Sequence, residues 1–306
     1  MTAIPVTTLG GYLGAGKTTL VNAVLAGAHG RRIGVLVNDF GAVSIDAKLI
    51  VARDGDMATL ANGCACCSVA GDLGEALDRL ASAIRPDHIL IEASGVADPA
   101  RIAALARAPG LAPRAPVTLA DAQTIAQRAN DKFVGRLVRR QLAEAGLVVL
   151  TKCDLVDDRS RVAARDFVTS QSPDANVVET IRGQVAIELL LDRDAGAAPA
   201  AFDCAEVDDA AANFENHFWS SDKPIDPQRL RLAIAGLPTG VVRAKGIFET
   251  PDGSAFQVHR VNGDVEISPL VRPTAELRRA QFVFIARRGD LDRTAVDSAV
   301  NACVAS

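Results

Sequence analysis

The chain has 306 residues, 49% apolar and 23% charged, with a net charge of −4. That length allows two domains, since single cores rarely grow beyond ~250 residues, and the composition is that of a soluble globular enzyme. Mild acidity without a basic run argues against a nucleic-acid partner, no apolar stretch approaches the ~20 residues that cross a bilayer, and six irregularly spaced cysteines do not make a disulfide framework.

Met1–Leu9 lacks a basic segment before its apolar residues, so it is expected to be a first strand and not a secretion signal. Thr2–Leu9 is rich in β-branched residues and runs into Gly10-Gly11, a strand entering a loop. Beyond Lys17, the residues Leu20, Val21, Val24 and Leu25 recur at helical spacing. Ile33–Val37 reads as a strand buried on both faces. Leu73, Ala76, Leu77 and Leu80 predict a helix that Pro86 closes. Further strands are expected at Ile89–Ile91, Val117–Leu119 and Leu147–Leu150, with a helix carrying Val134, Leu137, Val138, Leu142 and Ala145 between the last two. Strands alternating with helices predict an α/β fold with a parallel sheet. Gly10-Gly11, Asn38-Asp39, Glu92 and Thr151-Lys152 fall at strand C-terminal ends, where open α/β sheets bind ligands.

A change of character near Asp192–Asp209 suggests a linker, expected over 195–212. It separates a nucleotide-binding domain at 1–194 from a smaller α+β domain at 213–306. In the second domain, strands are expected at His217–Trp219, Val241–Glu249, Ala255–Val261, Val265–Ile267 and Gln281–Ala286. Helices are expected at Gln228–Ala235 and Leu291–Cys303.

Gly11-x4-Gly16-Lys17-Thr18, after a strand and before a helix, is a P-loop. Backbone N–H groups around Gly11, Gly14, Ala15, Gly16, Lys17, Thr18 and Thr19 are expected to cradle phosphate, aided by the positive end of the helix. Lys17 should reach the β- and γ-phosphates, and the Thr18 hydroxyl should ligate Mg2+. Glu92 suits a Mg2+ or water-orienting role, Gly95 N–H a γ-phosphate contact, and Asp39 either metal or water. In Thr151-Lys152-Cys153-Asp154, an aspartate can accept guanine N1–H and N2–H, which adenine cannot match. Lys152 can lie over the base, so GTP is expected over ATP.

Cys64-Ala65-Cys66-Cys67 places three thiols in four residues between these motifs. Thiolates select Zn(II), Cu(I) or Fe–S chemistry. Adjacent Cys66 and Cys67 point to opposite sides of an extended segment, so two thiols plus an outside ligand are expected. Buried apolar cysteines or a redox pair remain the alternatives. Cys153, Cys204 and Cys303 are isolated and expected to be buried. His217 and His259 could serve as ligands in the second domain, but are expected to be satisfied structural histidines.

The ordered set Gly10–Leu20, Val37–Gly41, Asn62–Ser68, Glu92–Pro99 and Thr151–Asp154 resembles the CobW-type metallochaperone GTPases. Val242–Phe248 looks like that family's C-terminal domain. The resemblance implies a P-loop NTPase parallel sheet flanked by helices, with a smaller C-terminal α+β domain. It also implies slow GTP hydrolysis to GDP with Mg2+, coupled to handing over Zn2+, Co2+ or Fe2+ held at Cys64, Cys66 and Cys67. Three departures stand out. Asp39 and Ala42 replace two glutamates, Thr151 replaces an asparagine and so weakens a base-loop brace, and no histidine-rich segment is present.

The expected protein is a cytoplasmic GTPase in which GTP assembles the thiol site and hydrolysis releases the metal. Its client is an apo-metalloprotein reached through the C-terminal domain, with no nucleic acid or membrane; a homodimer is allowed. The alternatives are a regulatory G protein with a structural metal and a P-loop small-molecule kinase.

Overall fold

A computed structural model describes residues 3–27, 30–38, 57–60, 69–182, 184–191, 214–261, 263–270 and 280–305. These fall into two compact units, one ending at Leu191 and the other beginning at Phe214. The expected linker, 195–212, lies outside the described residues.

In the first unit the apolar runs become strands β1 (Ile4–Gly10), β2 (Ile33–Asn38), β4 (His88–Glu92), β6 (Val117–Asp121) and β7 (Leu147–Thr151). Short strands β3 (Met57–Leu60), β5 (Leu111–Pro113) and β8 (Asn176–Glu179) join them. The order is β3-β2-β4-β1-β6-β7-β8, with β5 also paired to β1, and every neighbour is parallel. Sequence reading found the long strands because both faces are buried. The short ones carry too few residues to show a period.

The helices are α1 (Lys17–Ala26), α2 (Val69–Ile84), α3 (Pro99–Leu105), α4 (Ile125–Ala129), α5 (Gly135–Ala143), α6 (Asp158–Gln171) and α7 (Ile187–Leu191). Leu73, Ala76, Leu77 and Leu80 of α2 pack against Leu36, Ile89 and Ile91 of the sheet. Each such buried leucine contributes about 1.5–3 kcal/mol of apolar transfer energy. Asp98 and Asp157 cap α3 and α6 through their carboxylates, and Pro99 occupies the first turn of α3, where its missing N–H costs nothing. Central β1 is flanked by β4 and β6, so the chain changes direction across the sheet at this point. Crevices form at such switch points.

The second unit is an antiparallel sheet of β9 (Phe214–Ser221), β10 (Val241–Glu249), β11 (Ala255–Val261), β12 (Asp264–Pro269) and β13 (Ala280–Arg287). Its order is β12-β11-β10-β13-β9. Helices α8 (Pro227–Ala235) and α9 (Arg293–Asn301) supply Leu230, Ile234, Val296 and Val300 to a core built on Phe248, Phe282 and Phe284. The rings of Trp219 and Phe282 lie 5.4 Å apart, and Trp219 Nε1 donates to Asn301 Oδ1 at 3.1 Å. Each strand and helix expected here is found, within a few residues of its expected ends.

Candidate functional site

The loop from β1 to α1 is shaped by its glycines. Gly11 has φ +126°, a region L side chains rarely adopt, and a Cβ there would sit 2.4 Å from Leu119 O. Gly16 caps α1 in the left-handed conformation; no side chain caps the helix, and its first turn holds no acidic residue. The first-turn end of α1 thus keeps the partial positive charge of an uncapped helix terminus. Lys17 is only 6% exposed, and its Nζ donates to Gly11 O at 2.7 Å and Tyr12 O at 3.3 Å. The guanidinium of Arg128 in α4 lies over the Tyr12 ring, 5.6 Å from its centroid.

Glu92 ends β4 beside Leu9 of β1 and is 4% exposed. Its Oε1 accepts from the Thr18 hydroxyl at 2.8 Å. Gly95 is pressed on the phosphate loop, where a Cβ would lie 2.8 Å from Leu13 N. The far end of this segment is tied to α5: Gln141 Nε2 donates to Ala97 O at 2.8 Å, and Arg140 pairs with Asp98 at 2.8 Å. Burial, then the nearby Asp98 charge, hold the neighbouring Glu144 carboxyl above the ordinary carboxylate range.

Thr151 ends β7, and its hydroxyl donates to Ala15 O at 2.9 Å, with Ala120 O at 3.2 Å. At the position where an asparagine was expected, the threonine hydroxyl thus ties this loop directly to the phosphate loop. Lys152 follows with φ 57° and ψ 32°, a left-handed turn uncommon outside glycine and asparagine. Its Nζ meets Asp121 Oδ2 at 2.7 Å. Asp154 is exposed in a 3₁₀ turn at Cys153–Leu155. Cys153 is buried, its Sγ donates to Leu150 O at 3.3 Å, and burial pushes its thiol up, as suits an inert packing cysteine. Asp121 was missed in the sequence; its one signal is an acid at the end of the Val117–Leu119 run.

Lys17, Thr18, Glu92, Gly95, Thr151, Lys152 and Asp154 thus stand at strand ends and the turns and helix start that follow them, at the same end of one sheet. Asp39, Ala42, Cys64, Cys66 and Cys67 lie outside the described residues, as does Cys204. Among the described residues no group of three or more His, Cys, Asp or Glu side chains is placed to hold a metal ion. The fit to a Mg-nucleotide rests on other features. The start of α1, with no side-chain cap, offers backbone N–H groups to phosphate, and a hydroxyl beside a carboxylate supplies the hard oxygen donors that Mg2+ takes.

In the second unit, His217 Nε2 is 2.6 Å from Asp297 Oδ1, a satisfied structural histidine as expected. His259 differs from expectation. Its Nε2 is buried with no hydrogen-bond partner among the described residues, and burial, then Lys245 and Arg243, push its pKa down to about 2. Cys303 is buried, and no helix among the described residues is long and apolar enough to cross a membrane.

Residues 5–179 match the family described as CobW/HypB/UreG, nucleotide-binding domain, and residues 214–304 match the cobalamin synthesis protein CobW C-terminal domain. The chain is 34% identical over 221 residues to a zinc chaperone CobW from Sinorhizobium sp., covering 61% of this chain and 62% of that protein. It is 47% identical over 107 residues to the zinc chaperone YjiA of Escherichia coli, covering 33% and 34%. It is 39% identical over 113 residues to the zinc-regulated GTPase metalloprotein activator 1 of Dictyostelium discoideum, covering 33% and 24%. The chain thus spans less than two thirds of the length of each of these relatives.

Proposed function

The chain belongs to the CobW/HypB/UreG family of nucleotide-binding proteins, and from that membership we propose that it is a GTP-hydrolysing metallochaperone whose cargo is a transition metal, zinc first. The single structural observation that supports the nucleotide-hydrolysing part of this reading is the Thr18–Glu92 hydrogen bond beside the phosphate loop. It joins a hydroxyl and a carboxylate at a helix start where phosphate chemistry needs both. Similarity to relatives named zinc chaperones supports zinc as the cargo.

In the proposed mechanism, Lys17 exchanges its loop carbonyl partners for β- and γ-phosphate oxygens. The backbone N–H groups from Gly14 to Thr19 hold the remaining phosphate oxygens. Mg2+, when bound, would supply positive charge that offsets the negative charge on the phosphates. Thr18 and Glu92, with Asp39, would hold that ion, and Glu92 or Asp39 would orient the attacking water. Gly95 senses the γ-phosphate through its N–H, while Gln141 and Arg140 fix the far end of its segment. Asp154 accepts from the guanine edge, and Lys152 lies over the base. Cys64, Cys66 and Cys67 supply thiolates to the cargo, Zn2+ or alternatively Co2+ or Fe2+. The domains are proposed at 1–194 and 213–306, with the second as the docking surface for a client apo-metalloprotein.

The test is titration of the full chain with Zn2+, Co2+ and Fe2+ in GDP and in a non-hydrolysable GTP analogue. The reading requires at least one metal to bind more tightly in the GTP-analogue state. Equal affinity for every metal in both states would overturn it in favour of a regulatory G protein with a structural metal or a P-loop kinase.

A further inference from the structure

Asp121 lies where neither phosphate binding nor base reading calls for an acid. It ends β6, and both of its carboxylate oxygens are engaged: Oδ2 accepts from Lys152 Nζ at 2.7 Å and Oδ1 from Gln123 N at 2.9 Å. The carboxylate is 12% exposed and the lysine side chain 33%, so this is a half-sheltered pair and not a surface contact. The backbone is arranged to serve it. β7 stops at Thr151, whose O accepts from Ala122 N at 3.0 Å. Lys152 then adopts a left-handed conformation that an L residue takes only at a cost. That turn sends the lysine to β6 while the chain continues to Asp154, two residues on and exposed.

The chemistry gives this separation a purpose. An ammonium on a flexible stem two residues from a carboxylate would compete for its oxygens with the N1–H and N2–H of guanine. We propose that Asp121 is a specificity-determining positioning residue: by holding the Lys152 ammonium against β6, it keeps the Asp154 carboxylate open to the base. The inference rests on the reading of Asp154 as the guanine acceptor and deepens it. Asp121 touches no part of the nucleotide; it acts through Lys152.

Calorimetric titration of the full chain with GDP, ADP and pyrophosphate separates the outcomes. Asp121→Asn weakens GDP by about 10- to 100-fold, the worth of a charge-assisted hydrogen bond, and leaves pyrophosphate within about twofold. Pyrophosphate binding also reports that the fold is intact. Adding Lys152→Met to Asp121→Asn removes the competing ammonium while keeping an apolar stem to lie over the base, and restores much of the GDP affinity, which a merely structural role for Asp121 would not produce. Wild-type GDP affinity in Asp121→Asn, an equal loss for GDP and pyrophosphate, or no rescue in the double variant overturns the proposal. Asp154→Asn, titrated alongside, isolates the underlying reading. If it keeps full preference for GDP over ADP, base reading by Asp154 fails. If it loses that preference while Asp121→Asn does not, only the role of Asp121 fails.

Discussion

Thr18 and Glu92 are 74 residues apart in sequence, yet the Thr18 hydroxyl donates to Glu92 Oε1 at 2.8 Å. The parallel pairing of β1 with β4 brings them together, because Leu9 lies beside Glu92 and the phosphate loop begins two residues later. The pair places a hydroxyl and a carboxylate on rigid supports at the same end of the sheet.

Glu92→Gln keeps the size and the acceptor oxygen but removes the charge. GTP hydrolysis in single turnover is expected to fall by about 10²-fold or more, with nucleotide affinity changed by only a few fold. A hydrolysis rate within a few fold of wild type would remove Glu92 from the chemistry.

Thr151→Val is nearly isosteric and deletes only the donor to Ala15 O and Ala120 O. Two buried carbonyls lose a partner, so denaturant unfolding should show a loss of about 1–3 kcal/mol, while Thr151→Ser stays close to wild type. GDP affinity should fall in parallel in the valine variant, because the brace reaches the phosphate loop.

Gly11→Ala forces a side chain into φ +126° and against the backbone of Leu119. Strain and overpacking each cost about 1–3 kcal/mol, and the obstacle is a carbonyl of β6 that cannot swing aside. A thermal melt within a degree of wild type would show that the loop has another conformation available.

His259 is neutral in the fold, its pKa held near 2 by burial and by the Lys245 and Arg243 charges, with Glu266 opposite it on β12. In the unfolded chain it titrates near its ordinary ~6.5. The unfolded state therefore gains a proton first as pH falls. The contribution is fully present above about pH 6.5 and is lost progressively below it, by at most ~1.4 kcal/mol per pH unit. Between pH 7 and pH 5, wild type should lose about 2 kcal/mol more than His259→Gln in denaturant titrations. Parallel pH profiles for the two proteins would refute this.

Much of the fold was legible because it is encoded locally. Ile33–Val37 and Leu147–Leu150 read as strands from uninterrupted apolar runs, and the α2 residues Leu73, Ala76, Leu77 and Leu80 from their helical spacing. The phosphate loop was legible for a related reason: its shape depends on consecutive residues, three of them glycines with positive φ. Strand β3 was not legible, since it pairs with β2 over only four residues and carries no period of its own.

The site divides in the same way. Residue type alone marked Lys17, Thr18, Glu92 and Asp154 as groups for phosphate, metal and base. The sequence could not show that Thr151 reaches across 136 positions to Ala15 O, that Asp121 takes the Lys152 ammonium, or that Gln141 and Arg140 hold the Glu92 segment. Those contacts depend on which strands are neighbours and in what register, and register is set by packing the whole sheet. His259 makes the same point: a histidine in a strand is unremarkable until cross-strand pairing puts Lys245 opposite it and burial withholds water. The sequence determined which chemical groups the protein owns and the local turns that present them. The tertiary structure decided which of them meet, because only strand pairing and helix packing bring residues distant in the chain within hydrogen-bond range.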